Sequence, residues 1–172
     1  MDNINIPRAY TGFDGNVGGK LAGTEQFVDE IEVRTHYALH NNGTWGVRPM
    51  RSKKSPSVHG TGRAMDISWR HMGNGKGRVN GRKFALKWMN DLADHATPLG
   101  IEMIIDYGAK PFGRAYRCDR MKWRRYWKPT VHQGGTGDWF HLELSPYMSK
   151  RPNVVVAAFL KAFGAIGIRW EK

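Results

Sequence analysis

Residues 57–69 read Ser57-Val58-His59-Gly60-Thr61-Gly62-Arg63-Ala64-Met65-Asp66-Ile67-Ser68-Trp69. The first half holds a histidine and two glycines, which suits a tight turn. The second half alternates, so Met65, Ile67 and Trp69 share one face of a strand while Ala64, Asp66 and Ser68 share the other. A turn running into a strand can aim His59 and Asp66 at one point, with Asp66 facing away from the apolar layer.

A second segment, Gly137-Asp138-Trp139-Phe140-His141-Leu142-Glu143-Leu144, alternates in the same sense. Phe140, Leu142 and Leu144 point one way, and His141 and Glu143 the other. Two histidines and an aspartate offered from rigid elements, with one position left for water, form the open three-ligand set typical of catalytic zinc. Asp138 is then placed to take a proton from the attacking water and return one to the leaving amine.

These segments resemble the SxHxxGxAxD and DxxH motifs of the zinc D-Ala-D-Ala carboxypeptidase and L-alanyl-D-glutamate endopeptidase family, which includes vancomycin-resistance peptidases and phage endolysins. Ser57, His59, Gly62, Ala64 and Asp66 match the first motif, and Asp138 and His141 the second. The resemblance implies that His59, Asp66 and His141 bind Zn2+, that Asp138 is the acid/base, and that an arginine upstream of the first motif steadies the substrate carbonyl oxygen. Arg48, in Val47-Arg48-Pro49, is closest to the family's Arg-Pro element, with Arg51 nearby. Ser57, Arg51, His132 and Glu143 are further candidates for substrate contact. The implied fold is a small antiparallel sheet flanked by helices, of the hedgehog/DD-peptidase kind.

The rest of the chain gives an independent α+β reading. Phe27, Ile31 and Ala38 predict a helix over Thr24 to His40. Phe84, Trp88 and Leu92 predict another over Arg82 to His95, and Asn153 is a candidate cap for a last helix over Val154 to Phe163. Strands are expected at Ala64 to Trp69, Ile101 to Tyr107 and Phe140 to Leu144. With 172 residues, the chain fits a single catalytic domain.

Composition narrows the partners. The single cysteine, Cys118, excludes an intramolecular disulfide and a Cys-rich zinc knuckle. A net charge of +12 draws the protein toward a polyanion. Between Val33 and Asn90 the only acidic residue is Asp66, which suggests a specific task for that carboxylate. The apolar stretch from Val154 to Ile168 is shorter than the roughly 20 residues a bilayer needs, so no transmembrane segment is expected. The amino terminus lacks a secretory pattern. Synthesis in a cytoplasm is therefore expected, and the resemblance implies action on the bacterial cell wall, after holin-dependent release or from a virion.

Peptidoglycan is the expected partner of a monomer, with anionic cell-wall polymers as a further one and no required nucleic acid. The run from Lys110 to Lys128 carries eight Lys or Arg against Asp119 alone, among five aromatic residues. Such a run suits either a solvated basic face or a ligand surface, including single-stranded nucleic acid. A basic nucleic-acid-binding protein and an inactive wall-binding module are accordingly the competing readings. His36, His40, His71 and His95 have no comparable context and read as surface or core histidines.

Overall fold

The computed structural model describes residues 5–50, 53–72, 77–128 and 137–166, with the backbone alone for 77–80. In chain order the elements are α1 (Ala22–Arg34), β1 (His40–Gly43), a 3-10 turn (Val58–Thr61), β2 (Ala64–Ser68), α2 (Gly77–Asp94), β3 (Ile101–Asp106), β4 (Arg114–Arg117), β5 (Lys122–Arg125), β6 (Trp139–Leu144), a second 3-10 turn (Met148–Lys150) and α3 (Pro152–Phe163). This is an α+β arrangement. The strands form one six-stranded sheet in the order β1-β2-β6-β3-β4-β5, and every pairing is antiparallel.

The alternation read from β2 and β6 gives the sheet an apolar face. Met65, Ile67, Phe140, Leu142 and Leu144 join Ile104 of β3 and Tyr116 of β4 in the buried core. Phe27 and Ile31 of α1, Met89 and Leu92 of α2, and Val155 and Phe159 of α3 pack against that layer. Phe27 and Phe159 meet edge to face at 4.7 Å, tying α1 to α3. Because the apolar residues of all three helices join this core, the opposite sheet face is left for polar chemistry.

A strap of N-terminal residues runs from the end of α2 past β3 to the turn that holds His59. Asn5 bonds the Ala93 and Asp94 carbonyls, Arg8 the Ile101 carbonyl at 2.6 Å, and Val17 the Gly60 carbonyl at 2.9 Å. Arg63, only 2% exposed, fastens the strap to the sheet: its guanidinium bonds the carbonyls of Leu144 and Gly12 and pairs with Asp14 at 2.9 Å. A cation this deep is tolerated because carboxylates and carbonyls surround it.

Several sequence expectations need correction at their edges. The first helix ends at Arg34 rather than His40, because His36 and Tyr37 adopt left-handed backbone angles (φ 50° and 60°) that no helix continues through. The second begins five residues earlier than Arg82. Asn153 does not cap the last helix, which starts at Pro152 with Arg151 at the cap position and no side-chain cap. Proline fits there because the first helical N–H has no partner to lose. Strands β1, β4 and β5 were not anticipated. No helix among the described residues is long and apolar enough to cross a membrane.

Candidate metal centre

His59 sits in the 3-10 turn. Ser57 caps that turn by accepting a 3.3 Å hydrogen bond from the His59 backbone N–H, and Gly62 closes it at φ 70°, a conformation that favours glycine. The turn hands directly into β2, which carries Asp66. Across the sheet, Asp66 lies opposite His141 of β6. The three side chains converge: His59 Nε2 is 3.4 Å from Asp66 Oδ2, and His141 Nδ1 is 3.0 Å from Asp66 Oδ1. One ligand atom from each lies within 4.8 Å of the other two, so the group could hold a metal ion.

The electrostatics favour a cation at this point. Burial alone would lower the pKa of His141, but hydrogen bonds to Asp66 and Glu143 outweigh it and push it up to about 10. Burial likewise opposes ionisation of Asp66, yet its bonds to His141 and His59 hold it well below the usual carboxylate range. The raised His141 pKa means a positive charge balances the carboxylates here, a balance that a bound metal ion would also supply. The donor set of two imidazoles and a carboxylate is that of catalytic zinc sites.

Glu143 supports the cluster from behind. Its Oε1 lies 3.0 Å from His141 Nε2, the ring nitrogen turned away from Asp66. Its Oε2 accepts a 2.7 Å hydrogen bond from the Tyr10 hydroxyl. Glu143 is only 4% exposed, so it faces the histidine rather than solvent. A carboxylate on the far nitrogen of a ligating histidine fixes ring orientation and raises its basicity.

Asp138 lies just before β6, outside the ligand group. Its backbone carbonyl accepts from the Trp69 N–H and the Ser68 hydroxyl, each at 3.0 Å, and Arg70 approaches its Oδ1 at 3.3 Å. Arg48 is half exposed, with its guanidinium 3.9 Å from Asp66 Oδ2. It is positioned by the turn before the motif, where the Arg48 carbonyl accepts from the Ser57 N–H at 3.0 Å and Pro49 bridges Pro56. Arg51 and His132 lie outside the described residues.

Compared with family models, with curated proteins and with solved structures, the chain finds no match.

Three contributors were missed by sequence reasoning. Tyr10 stands 133 positions from its partner, and nothing in its local pattern marks it. Arg70 follows β2 directly, yet its pairing with Asp138 depends on strand register. His40, read as an ordinary surface or core histidine, pairs with Ser68 across β1 and β2, and its ring stacks on His71 with centroids 4.4 Å apart. Burial, with His71 and Arg70 nearby, lowers the His40 pKa, while Asp138 opposes the shift.

Proposed function

We propose that the protein is a zinc-dependent peptidase that hydrolyses a stem-peptide amide bond of peptidoglycan, as an L-Ala-D-Glu endopeptidase or a DD-carboxypeptidase/endopeptidase of the phage-lysin type. A hedgehog/DD-peptidase-like fold belongs to the same proposal. The observation that carries it is the convergence of His59, Asp66 and His141 from two segments that resemble both motifs of one zinc peptidase family.

His59, Asp66 and His141 would hold the zinc, which would supply Lewis-acid chemistry and lower the pKa of bound water to about 7. The remaining chemistry falls to the chain. Asp138 Oδ1 is engaged by Arg70, which leaves Oδ2 to accept the proton of the attacking water. The same carboxyl then protonates the departing nitrogen. Arg48, half exposed beside Asp66, is suited to hold the carbonyl oxygen as negative charge develops on it. Glu143 and Tyr10 keep the His141 ring fixed throughout.

The test is mass spectrometry of fragments released from purified peptidoglycan, with and without a strong zinc chelator. New peptide termini that vanish with chelator and return with zinc support the proposal and identify the bond. Intact peptidoglycan at full zinc occupancy sinks it.

One observation favours a second reading, polyanion binding without catalysis. Trp127 is 93% exposed at the end of the basic hairpin β4-β5. Salt-sensitive nucleic-acid binding that is indifferent to chelator would favour that reading.

A further inference from the structure

The strand registers tie the basic hairpin to the candidate metal centre. Asp66 stands opposite His141, His141 opposite Ile105, Ile105 opposite Ala115, and Ala115 opposite Arg124. Directly opposed residues in a sheet share a face. This single row therefore runs from two of the metal-binding residues, across half-buried Ile105 and the small, buried Ala115, to exposed Arg124. The neighbouring row runs Ala64, Glu143, Met103, Arg117, Lys122, and places Lys122 on the same face beside Arg124.

Most basic groups around the hairpin are already committed. Arg114 pairs with Asp106, Arg117 with Asp119, and Arg120 bonds the carbonyls of Ala115 and Lys122. Arg125 bonds the Lys110 carbonyl. The side chains of Arg124 and Lys122 have no hydrogen-bond or ion-pair partner among the described residues, and both are exposed. On the site side of the sheet, the row thus ends in two cations free to meet a ligand.

Three strand spacings of ~4.8 Å separate β6 from β5, so the row is roughly 14 Å long. An extended peptide advances ~3.3 Å per residue, so that length corresponds to about four residues. A tether for an unrelated polymer has no need to lie in line with the metal centre, whereas a substrate that crosses the sheet does.

Resting on the peptidase reading, we infer that Arg124, assisted by Lys122, is a distal substrate subsite. It recognises a free carboxylate carried about four residues from the cleaved bond, which makes the substrate an acidic peptide. Arg124 acts as a specificity determinant remote from the reacting atoms.

The experiment uses zinc-loaded full-length protein and synthetic stem peptides in which each free carboxylate is converted in turn to its carboxamide. One amidation is expected to lower kcat/KM about fivefold, mainly through KM, as suits an exposed charge pair. Arg124→Gln should show the same loss on the free acid and no further loss on that amide. Lys87→Gln, which removes a cation from the surface of α2, should behave as wild type. The wild-type preference should also shrink as salt is added.

Equal rates on every acid and amide overturn the inference while leaving the peptidase reading standing. So does Arg124→Gln that still discriminates, or that loses only salt-sensitive retention on walls bearing phosphate polymers. If wild type cleaves no peptide at all, the peptidase reading itself fails and takes the subsite with it.

Discussion

Tyr10 donates a 2.7 Å hydrogen bond to Glu143, whose other carboxylate oxygen lies 3.0 Å from the Nε2 atom of His141. The N-terminal strap is thus wired into the candidate metal centre. On the zinc reading, Glu143→Gln should weaken zinc binding about 10- to 100-fold, the usual cost of losing a histidine's outer partner. Tyr10→Phe should weaken it in the same direction by less, because Glu143 remains. Competition against a chromophoric chelator measures both, and unchanged affinity in Glu143→Gln would show that the carboxylate does not tune the ligand.

Much of this centre was legible in the sequence because its parts are local. His59, Gly62 and Asp66 lie within one turn-and-strand segment, and strict alternation in Phe140 to Leu144 put His141 on the polar face. The support network was not legible, since the Tyr10–Glu143 and Arg70–Asp138 contacts span 133 and 68 positions and exist only through sheet register. Strands β4 and β5 were hidden by their charge: Arg114, Arg117, Lys122, Arg124 and Arg125 mask the period-two signal that the apolar strands display. Even so, Tyr116 and Trp123 oppose one another on the core side, as alternation would require.

The protonation of His141 gives a pH prediction. Its pKa, pushed up to about 10 by Asp66 and Glu143 against the effect of burial, leaves the ring charged at pH 8 in the metal-free protein. An ordinary histidine, near 6.5, is neutral there. The stability contributed by this cation is fully present below about pH 6.5 and is lost as pH rises through about 10. Zinc requires the neutral ring, so binding at pH 8 should release about one proton from His141. Calorimetry in two buffers of different ionisation enthalpy reads that number, and a value near zero would contradict the charged ring.

Asp138 and the ligands should separate by phenotype. Asp138→Ala is expected to retain zinc and lose about 10²- to 10⁴-fold in turnover, the range for removing a general acid/base. His59→Ala and His141→Ala should lose metal and turnover together. Metal content by atomic emission, set beside peptidoglycan cleavage, makes the comparison. Full activity in Asp138→Ala would remove it from the acid/base role.

The packing of α1 behind the turn of His59 supplies a prediction whose sign runs against helix propensity. Gly23 lies in the first turn of α1, where alanine normally stabilises a helix by about 1 kcal/mol. Here an added Cβ would collide with the Met148 carbonyl oxygen and stand 2.6 Å from the Ser149 carbonyl carbon, both backbone atoms that cannot swing aside. Overpacking of this kind costs typically 1–3 kcal/mol, so the clash outweighs the propensity gain. The displaced helix end also carries Thr24, whose hydroxyl donates 2.7 Å to the carbonyl of Gly62, the residue that closes the His59 turn. Gly23→Ala should therefore lower stability in chemical denaturation and weaken zinc binding as well. A stability gain would mean that the end of α1 packs less closely on the Met148–Lys150 turn than the structure shows.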